Sequence, residues 1–275
     1  MQIDTTITLN NGIEMPLFGL GVYLSKEGTE CQEAATSALD LGYRHIDTAS
    51  FYDNEVSVGR AIRDHIIDRS EVFVTTKLWN SDHGYDNTLR AFQKSLEKLD
   101  IDYIDLFLVH YPVQDIRKDT WKAMEKILEN ENCKAIGVSN YMTHHMEELL
   151  ANCHIPPSVN QIELSPYCFQ SRADIVTLCR ENNIAVEAYS PLVRTKRFDD
   201  PKLLSLTKKY GKTSAQILIR WALQENIIVI PKSSNPLRIK ENADVFDFEI
   251  SNDDMALINN FDENLIVCWD PMKTP

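Results

Sequence analysis

Short apolar runs rich in β-branched residues recur along this chain, with helix-like segments between them. The runs are 43–49 (YRHIDTA), 72–77 (VFVTTK), 103–110 (YIDLFLVH), 135–140 (AIGVSN), 159–164 (VNQIEL), 184–190 (IAVEAYS) and 227–232 (IIVIPK), with an eighth at 17–23 (LFGLGVY). A strand that is apolar on both faces is buried on both faces, and such strands belong to parallel sheets covered by crossover helices. This alternation constrains the fold more than any other feature of the chain.

The segments between the runs carry helical signals. Thr29-x-x-Gln32 and Thr213-x-x-Gln216 have the form of capping boxes. Gly42 and Gly211 stand where helices should stop. Leu89, Phe92, Leu96 and Leu99 form one apolar stripe, and Trp121, Met124 and Leu128 another. Near the N-terminus, Asn11-Gly12 between short β-like runs signals a hairpin. Eight strand–helix units predict an α/β fold, a (β/α)8 TIM barrel with an N-terminal β-hairpin. The alternative is an open doubly wound sheet, which ordinarily carries G-x-G-x-x-G after a strand. Here Gly19-Leu20-Gly21 begins that pattern, but Leu24 occupies the third glycine's place. No linker or shift in composition divides residues 1–275, so a single domain is expected.

The 275 residues carry a formal charge of −13, which repels phosphate backbones and argues against nucleic-acid partners. The opening Met1-Gln2-Ile3-Asp4 has no signal-peptide character, and no apolar run reaches bilayer length; no membrane partner and a cytoplasmic location are expected. The six cysteines follow no disulfide pattern and are expected to be reduced. His144, His145, Cys153 and His154 cluster in sequence, but at no zinc spacing, so no metal is expected.

A barrel places its active site at the C-terminal ends of its strands. Asp47, Lys77 and His110 end three consecutive predicted strands, and Tyr52 follows the first by a short loop. Alternation puts His45 with Asp47, Thr75 with Lys77, and Leu108 with His110 on shared faces. Tyrosine, with a pKa near 10, is a poor acid at neutral pH. An ammonium about 4 Å away, at an effective dielectric of about 20, interacts with a phenolate by roughly 4 kcal/mol. That is about three pKa units as an upper bound. Lys77 is therefore expected to acidify Tyr52, Asp47 to hold Lys77, and His110 to orient a carbonyl oxygen. Singly, each has an ordinary reading: a structural ion pair, a core histidine, a surface tyrosine. Together on neighbouring strand ends they point to proton donation.

These four residues, in this order, resemble the catalytic tetrad of the aldo-keto reductase superfamily. The surrounding text is similar too: Gly42-Tyr43-Arg44-His45-Ile46-Asp47-Thr48-Ala49, Thr76-Lys77-Leu78-Trp79, Ala135-Ile136-Gly137-Val138-Ser139-Asn140 and Ile230-Pro231-Lys232-Ser233. The resemblance runs from about residue 8 to 265 and implies NADPH-dependent reduction of aldehydes and ketones, with Tyr52 as general acid and NADP(H) stretched across the barrel top. Ser139, Asn140 and Gln161 match nicotinamide carboxamide contacts, Tyr189 the ring-stacking aromatic, and Ser190 and Leu192 pyrophosphate-side contacts. Lys232, Ser233, Asn235 and Arg238 match a 2′-phosphate pocket, and Glu241 and Asn242 adenine contacts. Gly21, Val22 and Ser234 join this cofactor set. Tyr111, Ser165 and Tyr141 depart from the family's common Trp, His and Phe. Short segments at Tyr111–Lys118, after Ser190 and at the tail imply an open pocket rimmed by Tyr23, Trp79, His110 and Tyr111. Small reactive carbonyls and a monomer are expected. Two other readings stay open. A non-enzymatic cofactor binder would have no use for Lys77 beside Tyr52, and a metal-dependent hydrolase would need more inward ligands than Asp47 and His110.

Overall fold

The computed structural model describes all 275 residues. Strands β1 (Thr6–Thr8) and β2 (Glu14–Pro16) pair antiparallel around a turn in which Gly12 takes a φ of 85°. Asn10 and Asn11 donate side-chain hydrogen bonds to the carbonyls of Pro157 and Lys134. Those carbonyls lie at or just before the N-terminal ends of barrel strands, so the hairpin covers the end opposite the site.

Eight parallel strands follow: β3 (Leu20–Gly21), β4 (His45–Asp47), β5 (Phe73–Leu78), β6 (Ile104–Val109), β7 (Cys133–Ser139), β8 (Val159–Glu163), β9 (Ala185–Tyr189) and β10 (Ile228–Val229). Each pairs with the next, and parallel bridges Phe18–Val229 and Gly21–Lys232 join the last strand to the first. The sheet thus closes into a barrel. Ordered strands are shorter than the apolar runs at 17–23, 43–49 and 227–232, because the flanking residues turn into loops.

Ten α-helices lie around the strands: α1 (Thr29–Asp40), α2 (Glu55–Asp64), α3 (Tyr85–Leu99), α4 (Arg117–Leu128), α5 (Thr143–Leu150), α6 (Ala173–Glu181), α7 (Pro201–Tyr210), α8 (Ser214–Gln224), α9 (Pro236–Ala243) and α10 (Asn252–Ile258). Two helices rather than one separate β9 from β10. Thr213 and Gln216 do form the capping box of α8. Thr29 does not cap α1. Gly28 holds the N-cap, and the first amides of the helix reach back to the carbonyls of Lys26 and Gly28. That backbone turn satisfies the donors a threonine hydroxyl would otherwise serve. Gly211 ends α7 at a φ of 65°, as its position predicts.

Both predicted stripes face inward: Phe92 and Leu99 of α3, and Trp121 and Met124 of α4, are buried. They belong to one contiguous core of 66 residues. Gly59 is required where α2 meets the end of α3, since a Cβ there would stand 1.8 Å from the Leu99 carbonyl oxygen. No helix is long and apolar enough to cross a membrane.

Candidate active site

The C-terminal ends of β4 and β5 place Asp47 and Lys77 side by side in the barrel mouth. Lys77 Nζ lies 2.6 and 2.8 Å from the two Asp47 carboxylate oxygens and 2.8 Å from the Thr48 carbonyl oxygen. Its fourth contact is the Tyr52 hydroxyl, at 3.3 Å. Tyr52 closes a short 3-10 turn (Ser50–Tyr52), and Asn54 fixes that turn. The Asn54 amide donates to the carbonyls of Val22 and Ser25 and accepts from the Thr48 hydroxyl. The His110 ring stands edge-on to Tyr52, with centroids 5.6 Å apart.

Burial governs the protons of these groups. It lowers His110 well below the usual histidine range, and the Lys77 charge adds to the effect. His110 is thus a neutral imidazole at physiological pH. Burial raises Tyr52 well above the usual phenol range, and Asp47 raises it further. The expected acidification by Lys77 is therefore not the outcome. Desolvation of a phenolate is the largest cause, and the Asp47 carboxylate opposes its formation next. Tyr52 is held protonated.

Below the tetrad, Gln161 on β8 donates its amide to Asp47 Oδ2 and to Glu187 Oε2, both at 2.8 Å. Glu187, on β9, is fully buried; burial first, then the Asp47 charge, pushes its carboxyl up to about 8. Its sequence signal was present, since Glu187 shares the inward face of its strand with Tyr189, but it sat inside an apolar run.

Above the tetrad opens a cavity of about 350 Å³, walled by Gly21, Tyr23, Ser139, Asn140, Gln161, Tyr189, Ser190, Leu192 and Lys232 as well as Asp47, Tyr52 and His110. Leu24, Phe51, Arg194, Cys268 and Trp269 also line it and were not among the expected residues. Two expected rim residues border it only indirectly. Trp79 stacks on the back of Phe51 at 3.8 Å between centroids and faces a separate polar cleft. The Tyr111 hydroxyl turns away to meet Thr274 Oγ1 at 2.8 Å. Val22 is buried in the core, its amide on the Asp47 carbonyl.

An eight-stranded barrel with this ion pair, phenol and imidazole at its mouth invites comparison with known proteins. The profile of the Aldo/keto reductase family matches residues 18–263. The chain belongs to the aldo/keto reductase family. A glyoxal reductase of Bacillus subtilis is 46% identical over 266 residues, spanning 96% of each chain. An aldo-keto reductase from a Medee basin deep-sea metagenome library superposes with a TM-score of 0.93 at 43% identity, covering 98% of this chain and 99% of that one. A Bombyx mori aldo-keto reductase solved in complex with NADP gives 0.89 at 39% identity, covering 98% and 95%.

This aldo-keto reductase keeps its remaining candidate cofactor residues near the β7–β10 ends. The Asn140 amide donates to the His110 carbonyl, and the Tyr189 hydroxyl donates to Asn140 Oδ1 at 2.7 Å. Asn140 and Ser190 turn the chain at φ values of 65° and 50°, aiming their backbones over the barrel mouth. Asn235 caps α9, accepting from the amides of Leu237 and Arg238. Ser233 is held against Asn235, Ser234 is half-buried beside it, and Glu241 and Asn242 lie about two turns further along α9. Lys232, Arg238 and Arg194 each lie beyond 4 Å of any carboxylate, in a chain with 41 acidic residues. Such unneutralised cations, together with the N-terminus of α9, fit a phosphorylated ligand.

The cluster His144, His145, Cys153 and His154 does not converge. Both histidine rings reach the Thr274 carbonyl oxygen, and the Cys153 thiol turns to the Leu150 carbonyl. All six cysteines are unpaired.

Proposed function

We propose that this chain reduces aldehydes and ketones to alcohols with NADPH, and that Tyr52 is the general acid. The observation that carries the reading is the buried sequence Asp47–Lys77–Tyr52 opening beside His110 into a cavity whose far wall is cationic. Bound NADPH supplies the hydride. Lys232, Ser233, Ser234 and Arg238 would hold its 2′-phosphate, with Asn235 shaping the turn. Glu241 and Asn242 would meet the adenine. Ser190 and Leu192 would flank the pyrophosphate, and Gly21 would border the same cavity, with Val22 packed behind it in the core. Ser139, Asn140, Gln161 and Tyr189 would seat the nicotinamide.

The protein's own part is to orient and to protonate. Neutral His110 donates a hydrogen bond to the carbonyl oxygen and fixes its lie. As that oxygen becomes an alkoxide, it becomes a stronger base than a phenolate. Tyr52 then gives up its proton even though burial holds it tightly. Lys77 stabilises the phenolate left behind, and Asp47 keeps Lys77 charged and in place.

The substrates proposed are small reactive carbonyls, such as aromatic aldehydes and dicarbonyls. The cavity wall supports this: Tyr23, Leu24, Phe51 and Trp269 are apolar, and Phe51 and Trp269 stay partly open to solvent. The similarity to a glyoxal reductase points the same way. We further propose that residues 1–275 act as one domain, as a cytoplasmic monomer. The test is NADPH oxidation across a panel of aldehydes, ketones, dicarbonyls and sugars, with NADH in parallel. Activity on small aldehydes with NADPH favoured is expected. Turnover of no carbonyl would overturn the reading.

A further inference from the structure

We propose that Glu187 is a positioning residue that controls the proton on Tyr52 from its place on the Gln161 amide it shares with Asp47, so that its ionisation sets where the enzyme passes from giving a proton to taking one. This rests on Tyr52 being the proton donor.

The geometry is specific. Gln161 and Glu187 are register partners on β8 and β9. The two N–H groups of one amide nitrogen hold two carboxyl groups, Asp47 and Glu187, from separate parts of the barrel. The only ammonium among them is Lys77, and its bonds are taken by both Asp47 oxygens, the Thr48 carbonyl and Tyr52. None reaches Glu187, whose Oε1 has no hydrogen-bond partner although it is fully buried. The groups facing Glu187 are Asp47 and His45 on β4, Lys77 on β5 and Tyr52 above. His45 Nε2 stands 3.8 Å from Glu187 Oε1, but burial keeps its imidazole neutral, down to about 3. On β10 the register partner is the apolar Ile228. One anion and one cation already balance in this pocket, and a second carboxylate would be uncompensated.

The consequence is directional. A neutral Glu187 leaves Lys77 to stabilise the Tyr52 phenolate. An ionised Glu187 adds an anion that opposes phenolate formation, since like charges in one pocket disfavour each other. Tyr52 then keeps its proton to higher pH, which extends reduction and delays alcohol oxidation. Glu187 contacts neither the cavity nor a reacting atom; it acts on Tyr52 by its charge across the pocket, and the shared Gln161 amide fixes it beside Asp47.

The experiment uses Glu187→Gln, which keeps an oxygen to accept the Gln161 amide and removes the charge. Expected is a shift of the pH midpoint to lower pH by about half to one unit in both reduction and oxidation, from loss of one like charge. NADPH affinity, read by fluorescence titration, should stay at the wild-type value. Infrared spectra of the wild type near neutral pH should show a protonated-carboxyl band that the variant lacks. Should Glu187→Gln fail to fold, Glu187→Leu removes the same charge and the wild-type band remains decisive. An unmoved midpoint with normal NADPH binding, or no such band, overturns the proposal. Tyr52→Phe is the control. Turnover retained there overturns the proton-donor reading and this one with it. An unmoved midpoint beside an inactive Tyr52→Phe overturns the Glu187 proposal alone.

Discussion

Asp47, Lys77, Gln161 and Glu187 hang from four strands of the barrel and are almost wholly buried, whereas Cys268 and Trp269 reach the same cavity on a tail that has no α-helix or strand. The floor is held by main-chain ladders on both sides of each strand, so its side chains cannot shift without opening the sheet. The tail is held by separate polar moorings. Glu163 accepts from the amides of Val267 and Cys268, at 2.6 and 3.0 Å. Arg172 pairs with Asp270 at 2.9 Å. Tyr111, His144 and His145 meet Thr274, and Arg117 reaches the Pro275 oxygen at 2.6 Å. Trp269 remains 52% exposed at the end of this arrangement. The difference separates two tasks. Proton chemistry needs fixed distances, and the strands supply them. On the proposed function, substrate selection needs a surface that can change without disturbing the chemistry, and the tail is placed to supply it.

The sharpest break of this division is Tyr52→Phe. The ring stays, so packing beneath Tyr23 and His110 stays, but the proton is gone. General acid catalysis contributes typically about 10²–10⁴-fold, and a loss in kcat of that size is expected with NADPH binding nearly intact. Lys77→Met would be a poorer test. It leaves Asp47 buried and unpaired, and breaking a buried pair costs about 3–5 kcal/mol in stability. A Tyr52→Phe enzyme with more than half of wild-type kcat would show that the floor does not carry the proton.

Arg238→Ala probes a third surface, the cationic cluster of Lys232 and Arg238 at the start of α9, and should leave both floor and tail untouched. A charge-assisted contact to phosphate is worth about 1.5–3 kcal/mol, or about 10- to 150-fold in affinity. The preference for NADPH over NADH, measured as the ratio of kcat/KM, should fall by that factor. Equal efficiency with both cofactors in the wild type would refute the assignment.

Trp269→Ala tests the tail. The ring lies 5.8 Å from Phe51 and 5.9 Å from Trp79 between centroids, so it completes an aromatic corner over the cavity. Aromatic pairs of this kind contribute about 0.5–1.5 kcal/mol beyond area, which predicts a KM rise of about 3- to 10-fold for aromatic aldehydes. Small dicarbonyls have no ring to pack against the corner, so their KM should hold, and kcat should change little for either class. A fall in kcat equal to the rise in KM would erase the distinction between floor and tail.

How far each region was legible in the sequence follows from how each is held. Asp47, Lys77 and His110 could be read because strand alternation is local: the residue two before each one points the same way. The same rule applies to Glu187 between Val186 and Ala188, but an acid inside an apolar run carries the signal of a strand and no local sign that it faces the barrel floor. The Thr29-x-x-Gln32 pattern does not cap α1 because a threonine with Gln three residues on fits the first turn as well as the cap position. Only the preceding turn, Lys26 to Gly28, decides which residue caps. Cys268 and Trp269 had no local signal. Their placement depends on Glu163, more than 100 residues earlier in the chain, and on moorings that only the closed barrel brings together.

Tyr111 is where those two kinds of legibility meet, and it gives the smallest expected effect. Its position after His110 suggested a substrate contact, yet its hydroxyl lies on Thr274 Oγ1. A single partly buried hydrogen bond contributes about 0.5–1.5 kcal/mol. His144, His145 and Arg117 still moor the tail when that bond is lost, so only part of it should reach the cavity. Tyr111→Phe should therefore raise KM for aromatic aldehydes by about 2-fold, with kcat unchanged. The informative measurement is the double variant with Trp269→Ala. If Tyr111 acts by holding the tail, its effect vanishes once the indole is gone, because there is no longer a ring to position. If Tyr111 touches substrate itself, the two losses add, as independent contacts do. Additive losses would return Tyr111 to the rim and leave the tail with one mooring fewer than the structure draws.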